Sequence, residues 1–204
     1  MLYILASQSP RRIELLKNIG LAPKVIPANI DESQVKTDDP KDMVTRLAML
    51  KALHVARDWA GRDCLCIGAD TCVFVDGKIL GKPSSPEEAA DMLRTLSGRS
   101  HTVYTGCAAV KCSNMETAVI CEATDVNFRQ LTEEEIADYV KSGEPMDKAG
   151  AYGIQELGSL LIEGVQGDYF NVVGLPVCAL GKMLKREFGI DLLNRGVVKL
   201  EKNI

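Results

Sequence analysis

The sequence predicts an α/β protein forming one domain over residues 1–204. Three observations predict it. A strand, turn and helix open the chain, and further strand-like runs alternate with capped helices behind them. Hydrophobic residues make up 46% and charged residues 25%, the balance of an ordinary globular chain. No linker, repeat or low-complexity tract divides the 204 residues, a length that suits one sizeable core or one core with two lobes.

Residues 2–6 read as a strand. Ser9 is a good N-cap, Pro10 fits the first helical turn, and Gly20 fits the exit. The start of this helix carries Ser7, Ser9, Arg11 and Arg12. Its free N–H groups and positive dipole end favour an anion, and the two guanidinium groups match phosphate oxygens. Cations there oppose the dipole, and a feature that breaks a local rule points to function. On a helical wheel Arg12 shares the side of Leu15, Leu16 and Ile19 and is expected to point along the sheet edge into a cleft, whereas Arg11 points sideways.

Residues 24–28 form a second short strand leading to Asp31 and Glu32, and Asp39-Pro40 starts a helix running to about residue 59. Lys51 falls in the middle of that helix's apolar stripe of Val44, Leu47, Ala48 and Val55. It either snorkels to solvent or reaches the same anionic cleft. The run 64–75 is a long strand in which Asp70 is the one charge. A strand aspartate of this kind holds a turn or a metal, or does chemistry. Gly68 beside it allows a bulge or a close ligand approach.

Asp76-Gly77 is a two-residue hairpin signal, and Gly81-Lys82-Pro83 closes the hairpin. Ser85 to Glu88 reads as a capping box for a helix ending at Gly98. Runs 101–110 and 117–128 form an antiparallel strand pair, and Thr132 to Glu135 caps a helix to about residue 141. Residues 143–176 are glycine-rich, two irregular stretches flanking a strand at 158–163 like the walls of a cleft. A last helix spans 176–188, and the final dozen residues are expected to be loosely held.

The net charge of -4 gives no support to a nucleic-acid or membrane surface, so any polyanion site must be a local basic pocket for a small ligand. The start has no signal-peptide pattern, and no run reaches the ~18 apolar residues of a membrane span. Seven scattered cysteines without a C-x-x-C pair, and only His54 and His101 beside them, argue for small core residues rather than zinc ligands. The expected compartment is the reduced cytoplasm.

Five motifs carry a family resemblance: Ala6-Ser7-Gln8-Ser9-Pro10-Arg11-Arg12; Gly68-Ala69-Asp70-Thr71; Gly81-Lys82-Pro83; Lys148-Ala149-Gly150-Ala151-Tyr152-Gly153-Ile154-Gln155; and the run Gly-Asp-Tyr-Phe-Asn-Val-Val-Gly-Leu-Pro at 167–176. In this order, over nearly the whole chain, they resemble the Maf family of nucleoside triphosphate pyrophosphatases. The resemblance implies an elongated mixed β-sheet flanked by helices, with two lobes around a deep cleft, as in inosine-triphosphatase-like folds. It implies hydrolysis of a nucleoside triphosphate to monophosphate and pyrophosphate with a divalent metal ion, Mg²⁺ or Mn²⁺. Asp70 then matches the catalytic acid/base, with Lys51 and Lys82 as catalytic cations. Ser7, Ser9, Arg11 and Arg12 match phosphate-side positions, and Glu32 with Asp70 the metal side. Arg11, Thr71 and Gln155 match positions that mark the dTTP/UTP branch, as opposed to the 7-methyl-GTP branch. The implied partner is a small-molecule nucleoside triphosphate, with no nucleic acid or membrane, and a homodimer stays open as the assembly.

The residues support this chemistry. Asp70 is expected to position or deprotonate water for attack at the α-phosphorus while the cations neutralise the phosphate oxygens. The Gln155 amide can accept from N3–H and donate to O4, the face that thymine and uracil share. A non-catalytic nucleotide-binding regulator of cell division would use the same cleft without needing Asp70. The motifs of P-loop and dinucleotide-binding enzymes are missing.

Overall fold

A computed structural model describes residues 1–194 of the chain, and the expectation for the last dozen residues lies outside the described residues from 195 onward. Strand β1 (Leu2–Leu5) runs parallel to β2 (Lys24–Val25) and to β3 (Cys64–Val75). Strands β4 (Lys78–Leu80), β5 (Ser100–Lys111), β6 (Glu116–Phe128) and β7 (Ile162–Gln166) pair antiparallel. The seven strands form one mixed sheet in the order β2-β1-β3-β5-β6-β7, with β4 added to β3.

Local chemistry accounts for most boundaries. Asp76 and Gly77 both take positive φ (50° and 75°), the geometry of a tight hairpin turn, and Val75 faces Lys78 across it. The ladder of β2 stops because Pro27, two residues on, has no N–H to give. Helix α1 (Pro10–Asn18) starts at Ser9 and α2 (Pro40–Arg57) at Asp39, whose carboxylate accepts from the Lys41 N–H. At α4 (Glu133–Lys141) the Thr132 and Glu135 side chains cap each other's backbone reciprocally. At α3 (Pro86–Leu96) the expected box is only half formed: Ser85 accepts from Glu88, but the Glu88 carboxylate is taken by Ser84. Short α5 (Tyr169–Val173) and long α6 (Val177–Phe188) are the last helices among the described residues.

The strand expected at 158–163 lies at 162–166 instead, because residues before it fold into short 3₁₀ turns. There Gly158 packs so close to Gly153 that a Cβ on it would fall 2.0 Å from the Gly153 carbonyl oxygen. Compaction of that kind excludes a straight strand.

Apolar side chains form two lobes along the long strands. In one, Leu16, Leu65, Ile67, Cys107, Leu180 and Leu184 pack beneath α1 and α6, and on the other sheet face Ala48, Ala52 and Val55 of α2 meet Cys66, Ala108 and Val110. In the second, Val73, Val103, Val126 and Phe128 meet Leu93, Leu96 and Ile136 of α3 and α4. Helix α2 lies directly on the sheet because Gly68 and Gly106 face it. A Cβ on either would come within 2.3 Å of a helix carbonyl, Ala48 or Val44. Gly68 thus serves helix packing, and the β3–β5 register runs through it without the bulge that a glycine allows.

The two lobes meet at a gap. Strand β3 pairs with β5 from Leu65 to Phe74, but on its other edge β1 reaches only Ile67 and β4 begins only at Val73. The intervening edge, around Asp70 and Thr71, is left without a strand neighbour.

Candidate active site

A cleft of about 820 Å³ opens at this gap, within the size range of small-molecule sites. Ser7, Ser9, Arg11, Arg12, Glu32, Lys51, Asp70, Thr71, Lys82 and Gln155 all line it. Five cationic side chains (Arg11, Arg12, Lys51, Lys82, Lys148) face three acidic ones (Glu32, Asp70, Asp147) in a protein of net charge -4.

Lys51 reaches through from α2 to the floor of the cleft. Its Nζ lies 2.6 Å from Asp70 Oδ1 and 2.7 Å from Glu32 Oε1, and the Lys51 and Asp70 side chains are each 12% exposed. Burial pushes the Asp70 carboxyl above its ordinary range; Lys51 and Arg12 pull it back, and Glu32 adds to the rise. Glu32 arrives from a 3₁₀ turn (Glu32–Gln34) capped by Asp31, which bonds the Ser33 N–H and hydroxyl.

Arg12 points along the sheet edge as expected, but its role differs from that of a free phosphate clamp. Nε donates to the Gly174 carbonyl at 2.8 Å, Nη1 to the Ala69 carbonyl at 2.9 Å and to Ser7 Oγ at 3.3 Å, and Nη2 to Thr71 Oγ1 at 3.1 Å. Four of its five N–H groups are thereby committed to the protein. The chain continues inward. The Thr105 hydroxyl donates to the Asn171 carbonyl, so the Thr71 hydroxyl must donate to Thr105 Oγ1, 2.9 Å away. Asn171 in turn donates to Val103 and Thr124, and Thr124 Oγ1 is bonded to the backbone of Asp168. Thr71 therefore fixes Arg12, and this relay ties α1 to the turn that leads into α5.

Ser9 stands at the N-cap of α1 without a side-chain capping bond, contrary to expectation; its own N–H instead donates to Ser7 Oγ. The hydroxyl and the first-turn amides are therefore left for a ligand. Arg11 leans across the cleft to Asp147 (3.3 Å), which also accepts from Lys148 at 2.8 Å. Burial raises the Asp147 carboxyl, but the Lys148 hydrogen bond and the Arg11 and Lys148 charges outweigh it and hold the group below its ordinary value. Lys82 is exposed on the rim, with no ion-pair partner among the described residues. Gln155 lines the wall formed by the 3₁₀ turns.

The sequence reading missed Asp147, Thr105 and Asn171. Thr105 and Asn171 are fully buried polar side chains, but a hydroxyl in a β-branched strand residue gives no signal in sequence. Among the described residues no group of three or more His, Cys, Asp or Glu side chains is placed to hold a metal ion. The two carboxylates that converge on the Lys51 nitrogen are nevertheless hard oxygen donors, the kind that hold Mg²⁺ or Mn²⁺ together with substrate phosphates.

Together, fold and site define an α/β protein with a cationic, carboxylate-bearing cleft where a parallel strand ends and a helix begins, an architecture that receives anionic small molecules. The chain belongs to the Maf family: the family model described as Maf-like protein matches residues 3–187. It is 47% identical to the dTTP/UTP pyrophosphatase of Caldanaerobacter subterraneus subsp. tengcongensis, over 100% of this chain and 98% of that one. It is 50% identical to the protein of the same name in Moorella thermoacetica (94% and 97% covered) and 46% to that of Clostridioides difficile (93% and 96%). Among solved structures, the Staphylococcus aureus Ham1 protein aligns with TM-score 0.41 and 16% identity, over 63% of this chain and 72% of that one.

Proposed function

We propose that this chain is a nucleoside triphosphate pyrophosphatase that converts dTTP and UTP to the monophosphate and pyrophosphate, a reading supported by its similarity to proteins named dTTP/UTP pyrophosphatase. The observation that carries the reading is the Lys51 ammonium held between Asp70 and Glu32, facing an uncapped helix N-terminus across one cleft.

In this reading the first-turn amides of α1, Ser9, Arg11 and Lys82 hold the triphosphate, and Arg12 keeps that turn seated against β3. Asp70 orients a water and takes its proton as oxygen attacks the α-phosphorus. The bond from that phosphorus to the bridging oxygen breaks, and pyrophosphate leaves. The elevated affinity of a buried carboxyl for a proton suits this task. Lys51 balances the charge that gathers between Asp70 and the phosphoryl oxygens. Glu32 and Asp70 would hold a divalent ion, Mg²⁺ or Mn²⁺, which when bound supplies charge neutralisation on the phosphates. The Gln155 amide reads the N3–H and O4 edge of the pyrimidine. No described helix is long and apolar enough to cross a membrane, and a nucleotide substrate fits a cytoplasmic enzyme.

A panel of nucleoside triphosphates with pyrophosphate detection tests the reading. Release should be greatest with dTTP and UTP and should stop when a chelator is added. Asp70→Asn should retain its circular dichroism spectrum while turnover falls on the order of 10²–10⁴-fold. Undiminished turnover in the Asp70→Asn protein would remove Asp70 from the chemistry.

A further inference from the structure

Gln155 sits at the tip of a loop whose two ends meet. A Cβ on Gly158 would fall 2.0 Å from the Gly153 carbonyl oxygen and 2.7 Å from the Tyr139 hydroxyl. Ala151 and Glu156, on either side of Gln155, take the left-handed conformation with φ of 60° and 56°, a strained state for residues with a Cβ. Such a backbone persists only where its surroundings hold it.

One carboxylate, outside the cleft, supplies the hold. Glu144 Oε2 accepts from the Leu157 N–H at 3.1 Å, and Oε1 accepts from the Gly158 N–H at 3.1 Å. Oε1 also accepts from the Tyr139 hydroxyl at 3.0 Å, and that hydroxyl accepts from the Gly153 N–H at 3.3 Å. Entry and exit of the loop therefore converge on Glu144, the exit directly and the entry through Tyr139. The Glu144 main chain is fixed in turn, its carbonyl accepting from Lys148 Nζ at 2.8 Å. Tyr139 is buried in the second lobe's core, 6% exposed. The two oxygens of the carboxyl group share these three donors between them; an amide in its place offers one acceptor oxygen and an NH₂ that can only donate.

We infer that Glu144 and Tyr139 are positioning residues for base selection: they set the loop that presents the Gln155 amide, without touching the nucleotide. The inference rests on the reading that Gln155 contacts the base, so its test carries Gln155→Ala in parallel. Tyr139→Phe keeps the ring and removes only the entry link; Glu144→Gln removes the hub. For each variant the measurements are kcat/KM for UTP and for GTP, and inhibition of UTP turnover by inorganic tripolyphosphate, which reports the phosphate side alone.

Both variants should lower the UTP-over-GTP ratio on the order of tenfold, mainly through KM for UTP, with tripolyphosphate inhibition unchanged. Gln155→Ala should lower the same ratio at least as far. If Gln155→Ala lowers the ratio and both Tyr139→Phe and Glu144→Gln leave it intact, the positioning role is wrong and the base reading stands. If Gln155→Ala itself leaves the ratio intact, the base reading fails and takes the inference with it. Equal loss of UTP and GTP turnover in Tyr139→Phe, with weakened tripolyphosphate inhibition, would show a general structural defect and overturn the proposal.

Discussion

Replacing Gly68 with alanine tests how the fold delivers Lys51 to Asp70. The new Cβ would lie 2.3 Å from the Ala48 carbonyl oxygen and 2.7 Å from the Ala52 nitrogen, both helix backbone, whereas ordinary contact begins at 3.4 Å. Neither atom can rotate away, so α2 must retreat from the sheet by roughly 1 Å. Lys51 lies one residue before Ala52, and its Nζ sits 2.6 Å from Asp70, two positions along β3 from Gly68. The same displacement therefore stretches the ion pair beyond hydrogen-bond length. Overpacking of this kind costs about 1–3 kcal/mol, which in a domain of this size lowers Tm by about 2–12 °C. Misplacing a catalytic group by about 1 Å costs on the order of 10²-fold in turnover. Thermal unfolding and pyrophosphate release from UTP are the assays. Gly181→Ala is the control: it lies inside α6 with nothing within 4 Å of its added Cβ, and should stabilise by about 0.5–1 kcal/mol. A Gly68→Ala protein with wild-type Tm and turnover would refute the account of how α2 is seated.

Two further outcomes follow from the buried polar groups. His101 is 3% exposed with Nε2 2.6 Å from the Tyr152 hydroxyl, and burial pushes its pKa down from 6.5 to about 4 against the pull of Asp125. The unfolded chain binds this proton first, so its contribution is intact above pH 6.5 and is lost as pH falls toward 4. The loss should reach about 3 kcal/mol, read by urea unfolding at pH 7 and pH 4, and a His101→Phe protein should lack that part of the pH dependence. Thr105→Val keeps the shape of a fully buried side chain but breaks the link between Thr71 and the Asn171 carbonyl. It should cost about 1–3 kcal/mol in denaturant unfolding and raise KM for UTP more than it lowers kcat, because the Thr71 hydroxyl that accepts from Arg12 loses the Thr105 oxygen that orients it. An unchanged KM would show that Arg12 does not depend on the relay.

The parts of the fold legible in the sequence were those whose cause is local. Asp76-Gly77 makes its turn from its own backbone preferences, and Thr132 with Glu135 caps its own helix. Asp70 and Lys51 stood out because a charge inside an apolar run or stripe needs a partner, and each turned out to be the other's. The rest depends on contacts distant in sequence. The wheel gave Arg12 its direction, but its acceptors at Ala69 and Gly174 lie 57 and 162 residues away, so its saturation could not be read. Gly68 was legible as a place where something comes close; whether ligand or helix came close was a tertiary question. The slipped strand near residue 160 has the same origin, since the pressure of Gly158 on Gly153 and Tyr139 is invisible to a two-residue period.

The gap beside β3 explains how these groups come to line one cleft. Along a strand, neighbouring side chains leave opposite faces, so Asp70 and Thr71 would normally be separated by the sheet itself. Here the pairing of β3 with β1 ends at Ile67 and its pairing with β4 begins at Val73, and the missing neighbour lets one cleft reach both: Lys51 meets Asp70 from α2, while Arg12 comes around the edge to the Ala69 carbonyl and Thr71. The cations are also stored in paired form, Lys51 on Asp70 and Glu32, Arg11 on Asp147. A buried charge without a partner would cost several kcal/mol, so its two carboxylates let the cleft hold Lys51 in the folded chain. On the proposed reading, a triphosphate entering the cleft would displace the carboxylates of both pairs and meet Lys82 on the rim, so the same pairs that hold these cations in the folded chain also set what a ligand must replace.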